Sequence, residues 1–104
     1  MEMKKLFISQ PMKGRMDGEI LEAREKAIRK VQALLGEPVE VINSFFRDAP
    51  EEAKPLWLLG KSLELLSTAD VAFFAEGWEK ARGCRIEHTC AYEYEIGVVI
   101  IEKG

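Results

Sequence analysis

Residues 69–75 read Ala69-Asp70-Val71-Ala72-Phe73-Phe74-Ala75, and this stretch decides the fold class. After Asp70 the side chains are apolar without alternation, so a strand built here must be covered on both faces. An antiparallel strand with one face in water alternates, whereas a central parallel strand between helical layers does not. Just upstream, Leu56, Leu59, Leu63 and Leu66 form an apolar stripe at helical spacing, closed by Ser67-Thr68. Pro55 suits the first turn of that helix, where its missing donor would be unpaired anyway. Downstream, Glu76 to Gly83 reads as a loop, Cys84 to Tyr94 as a helix, and Gly97 to Ile101 as a last strand.

The N-terminal half repeats the pattern. Lys4 to Ile8 is a short strand that opens into the loop Ser9-Gln10-Pro11-Met12-Lys13-Gly14. Asp17 is placed to cap the next helix. From Glu19 onward Ile20, Leu21, Ala27, Ile28, Val31, Leu34 and Leu35 recur at helical spacing, with Arg24, Glu25, Arg29 and Lys30 assigned to the solvent face. Gly36-Glu37-Pro38 stops the helix. Val39 to Ile42 is a second strand, Asn43 to Phe46 leads out of it, and Arg47 to Lys54 is a polar connector. Strand and helix alternate four times, which predicts an α/β fold with a small parallel sheet of about four or five strands between helical layers. Ligands of such sheets sit beyond the carboxyl ends of the strands, where strand order reverses. The loops Ser9 to Gly18 and Glu76 to Gly83 are expected to meet there.

Composition narrows the function. A chain of 104 residues is expected to be one domain, residues 1–104, with a core that needs no disulfides. Its 15 basic and 18 acidic side chains, net charge −3, argue against a polymeric nucleic acid as partner. The longest apolar runs are about five residues against the roughly 20 of a membrane span, so no membrane partner is expected. The start Met-Glu-Met-Lys-Lys carries no signal-peptide pattern, and the two cysteines read as cytoplasmic thiols.

Glu87 is the sharpest candidate for chemistry. Placed in the first turn or so of the helix after Gly83, its ionised form is favoured by the helix dipole, as a nucleophile requires. Acids are also common in first turns for no catalytic reason. Lys80, Arg82 and Arg85 flank the same turn, with Gly83 allowing close backbone approach. They suit a phosphate at a helix start, and they equally suit solvated loop charge. Trp78 either packs a planar ligand or covers the end of the sheet. Cys84, His88 and Cys90 lack the further ligands of a metal site, so no metal or other cofactor is assigned. Cys84 reads as a buried thiol and His88 as a surface histidine. Ser9 and Gln10 stand where a phosphoacceptor domain would need acids, which removes that reading.

Three segments, Leu6-Phe7-Ile8-Ser9-Gln10-Pro11-Met12, Ser67-Thr68-Ala69-Asp70-Val71-Ala72 and Gly83-Cys84-Arg85-Ile86-Glu87-His88-Thr89-Cys90-Ala91, occur in the order seen in nucleoside 2-deoxyribosyltransferase-like proteins. Over nearly the whole chain the sequence resembles most a small bacterial and phage branch, the DUF4406 type. The resemblance implies a flavodoxin-like or Rossmann-like three-layer sandwich and N-glycosidic bond chemistry. It makes Glu87 the nucleophile that attacks the anomeric carbon of a nucleoside, and Ser9, Gln10, Pro11 and Met12 the lining of the base and sugar pocket. It also implies a homodimer or larger assembly, since a neighbouring subunit commonly completes such sites.

The departures are specific. Phe7 stands where family enzymes often carry a tyrosine. Ser62 stands where an aspartate assists the leaving base, and Ala81 where Asp or Ser contacts the sugar's 5′ group; Asp70 matches only a structural position. With Lys80 and Arg82 beside Ala81, a 5′-phosphate is expected in place of a 5′-hydroxyl. The expected ligand is thus a small nucleoside or nucleotide, contacted by Phe7, Ser9, Gln10, Pro11, Met12, Ser62, Trp78, Arg82, Gly83 and Arg85. Glu87 favours an N-glycosyl transferase or hydrolase; Ser62 favours a binding module of the same fold that does not turn over.

Overall fold

The structure is a computed structural model that describes residues 3–44 and 51–102. Its first strand, β1 (Lys4–Ser9), is flanked on both sides by parallel neighbours, so its side chains alternate between two apolar layers. Leu6 and Ile8 enter one layer, and Phe7 enters the other. The remaining elements are α1 (Asp17–Leu35), β2 (Val39–Val41), α2 (Pro55–Leu66), β3 (Val71–Phe74), a short 3₁₀ turn at Trp78–Lys80, α3 (Arg82–Glu93) and β4 (Val98–Ile101). The described residues form one four-stranded, all-parallel sheet in the order β2-β1-β3-β4. This is an α/β fold of the small flavodoxin-like sandwich type. No helix of the described residues is long and apolar enough to cross a membrane.

The two layers have separate cores. Ala27 and Val31 of α1 pack on Leu6, Ile8, Val39, Val71 and Phe73. Leu66 of α2 and Ala91 of α3 pack on Phe7, Ala72 and Phe74 across the sheet. All four residues of β3 are buried, as the unbroken apolar run requires. The edge strand β4 alternates instead, leaving Val99 and Ile101 partly in water.

Several local expectations are corrected. The α1 helix begins at Asp17, two residues early, and Met16 holds the N-cap position; its backbone N–H donates to Glu19 Oε1 at 3.2 Å. Arg24, expected on the solvent face, is buried, while Leu21 and Leu34 lie outside. The α2 stripe is buried only at its far end: Leu66 is covered and Leu56 is 77% exposed. The expected loop up to Gly83 ends sooner, because α3 starts at Arg82 and includes Gly83. Residues 45–50, which the sequence placed in the exit from β2 and the polar connector, lie outside the described residues.

Gly36 ends α1 as expected, in the left-handed region at φ 70°, with its N–H donating to Gln32 O. A side chain there is strained although nothing crowds it. Gly36→Ala is expected to lower stability by about 1 kcal/mol in urea titrations.

Candidate functional site

Strand order reverses between β1 and β3, because β2 lies on one side of β1 and β3 on the other. The loops that leave these two strands border a cleft at the carboxyl edge there. They meet as expected: a Cβ added at Gly77 would lie 3.5 Å from Pro11 Cγ, and Gly77 itself turns the chain at φ 89°. The cleft has a volume of about 1110 Å³. Its floor comes from the end of β1, one wall from α2, and the other from the first turns of α3.

Glu87 lies on that floor. It is the sixth residue of α3, on the buried stripe with Cys84 and Ala91, and not in the first turn as the sequence suggested. Helical spacing at 84, 87 and 91 turns all three toward the sheet. Ser9 closes β1 on the same face, and its Oγ donates to Glu87 Oε1 at 2.6 Å. Ser62, from the middle of α2, lines the cleft on the same side and lowers the pKa of the carboxylate. Cys84 is buried beside Ser9 and Glu87, and burial pushes its thiol pKa up. Three segments distant in sequence thus converge on one carboxylate.

Burial and hydrogen bonding pull on Glu87 in opposite directions. With the residue only 8% exposed, desolvation raises its pKa, while the Ser9 and Ser62 hydroxyls lower it; burial wins. The dipole argument from the sequence pointed the other way; it left out burial, which is the largest influence on this carboxylate, and Glu87 sits two residues further into the helix than expected. A carboxyl with a raised folded-state pKa holds its proton more tightly in the folded chain. Its contribution to stability is therefore greatest at acid pH and falls as pH climbs from the ordinary glutamate value through the raised one. Glu87→Gln removes this dependence. Urea titrations at pH 4 and pH 7 are expected to show the variant gaining on the wild type at the higher pH.

The other candidates divide. Phe7, Gln10, Pro11, Met12, Arg82 and Gly83 all line the cleft, as do Ser9 and Ser62. Trp78 and Arg85 do not. Trp78 lies flat on His88, ring centroids 4.3 Å apart, and packs against Phe74 at 5.7 Å. It covers the end of the sheet, and His88 is half-buried beneath it, not on the surface. Arg85 instead donates to Glu79 O at 2.9 Å, securing the 3₁₀ turn. Asp70 is structural: its Oδ2 accepts the Lys5 N–H at 2.8 Å and ties the start of β3 to β1.

Sequence reading missed Arg24, Ser44, Lys13 and Lys54. Arg24 donates to Ser44 Oγ at 3.2 Å and to Ile42 O at 3.0 Å, and Ser44 Oγ donates to Ile8 O. This buried cluster holds the backbone just before Ser9. Lys13 and Lys54 lie on the mouth of the cleft with Lys80 and Arg82. Glu87 is the single carboxylate among the described lining residues. Among the described residues no group of three or more His, Cys, Asp or Glu could hold a metal ion. No family model, curated protein or solved structure matches the chain.

Proposed function

We propose that the protein cleaves the N-glycosidic bond of a nucleoside or nucleotide, with Glu87 as the nucleophile. The observation that carries this reading is a buried carboxylate at the switch point, hydrogen-bonded by Ser9 and flanked by Ser62 in an open cleft. One oxygen of Glu87 attacks the anomeric carbon while the bond from that carbon to the base breaks, and the bonding pair leaves with the base. The Ser9 hydroxyl holds the carboxylate's orientation, which shortens the search for an in-line approach. Ser62 is a poor acid, and no described residue of the cleft offers a second carboxyl, so the leaving base takes its proton from water. Water or a second base then attacks the anomeric carbon of the glycosyl ester and frees Glu87. The resemblance to nucleoside 2-deoxyribosyltransferase-like proteins supports the same chemistry, and it supports an assembly of two or more copies.

Ser62 in place of an acid favours a second reading, a nucleotide-binding module without turnover. Incubation with each deoxynucleoside and its monophosphate, followed by chromatography of the released base, separates the two. Release that depends on Glu87 supports the enzyme; binding without release from any substrate removes it.

A further inference from the structure

The chain is acidic overall, yet the described lining of its cleft has four cations, Lys13, Lys54, Lys80 and Arg82, against one buried carboxylate. The cations come from three separate segments: the loop after β1, the residue before α2, and the junction leading into α3. All four are exposed, and none forms an ion pair with a described residue. Their placement opposes local electrostatics. Lys54 is the N-cap of α2 and Arg82 the first residue of α3, and neither helix has an acid in its first turn. Cations are disfavoured at the positive end of a helix. By contrast α1 follows the rule, with Asp17 and Glu19 in its first turn. Local rules broken together around one cleft mark a place where a ligand supplies the missing charge.

We propose that the mouth of the cleft seats a diphosphate group, so that the ligand is a nucleotide with at least two linked phosphates. One phosphate ester carries about −1.5 to −2 charge at pH 7, about half of what the four cations offer. A second phosphate brings the ligand close to the charge of the rim and reaches cations on more than one segment. The cleft has the room, since its volume slightly exceeds the roughly 300–1,000 Å³ of small-molecule sites. In this arrangement the phosphates stay at the wet rim and the glycosidic bond reaches Glu87 on the floor. The nucleoside part of the ligand rests on the function proposed above; the diphosphate seat does not.

Calorimetric titration of the intact chain with inorganic phosphate and inorganic pyrophosphate tests the seat without any choice of base. Pyrophosphate is expected to bind at least tenfold more tightly than phosphate, with an affinity that falls steeply with salt. The double substitution Lys80→Ala with Arg82→Ala is expected to weaken pyrophosphate at least tenfold, as is Lys13→Ala with Lys54→Ala. Arg29→Ala, an exposed cation on α1 away from the cleft, is expected to change nothing. Pyrophosphate that binds no better than phosphate, or that is indifferent to both double substitutions, overturns the proposal. Pyrophosphate binding as expected, with no base released from any nucleotide, keeps the seat and removes the glycosidic reading. Base release at equal kcat/KM from nucleosides and their diphosphates, without pyrophosphate binding, does the reverse.

Discussion

Glu87→Gln is expected to reduce base release by at least about a thousandfold, because the amide keeps the shape of the carboxylate and loses its nucleophilic charge. The substitution is chosen for its surroundings. Ser9 Oγ donates to Oε1 at 2.6 Å, and an amide oxygen at that position still accepts the bond. The buried site is therefore not left with an orphaned donor, and the variant should fold. Its circular dichroism spectrum should match that of the wild type while the activity is lost. In the wild type, base release should rise with pH across a range above that of an ordinary glutamate, since burial raises the pKa of the group that must ionise. Glu87→Gln should show no such rise.

Phe74→Ala is expected to cost about 3–5 kcal/mol, a large part of the roughly 5–15 kcal/mol that holds a domain of this size. Phe74 is fully buried at the end of β3, and it packs on Trp78 and edge-on to His88 at 5.0 Å. Removing the ring leaves a cavity under the Trp78–His88 stack, next to Glu87 on α3. The midpoint of thermal unfolding should fall by roughly 15 °C or more, and the cleft should lose definition with it. Leu56→Ala is the control. With Leu56 77% exposed, the change should stay within about 0.5 kcal/mol, although the two residues look equally apolar in the sequence.

That contrast shows where sequence reading works. Strands buried on both faces appear as unbroken apolar runs, so Val71 to Phe74 and the alternation around it disclosed the parallel sheet. Gly36 and Pro55 disclosed helix ends because their backbone chemistry acts locally. Arg24 was illegible, since a charge on a helix looks solvated until Ser44 and the Ile42 carbonyl are brought to it from another strand. Trp78 stood between two roles that only its stacking on His88 could separate. Lys13 and Lys54 are 41 positions apart in the chain, and only the reversal of strand order brings them to one mouth. Glu87 was found for its position near a helix start. What makes it a candidate is different: a desolvated carboxylate bonded by the Ser9 hydroxyl in an open cleft.

Mass spectrometry of the protein quenched during turnover tests the nucleophile most directly. A transient adduct with the mass of the sugar or sugar phosphate is expected, mapped to the peptide containing Glu87 and absent in Glu87→Gln. Base release that proceeds at an undiminished rate in Glu87→Gln, with no adduct in either protein, would contradict it.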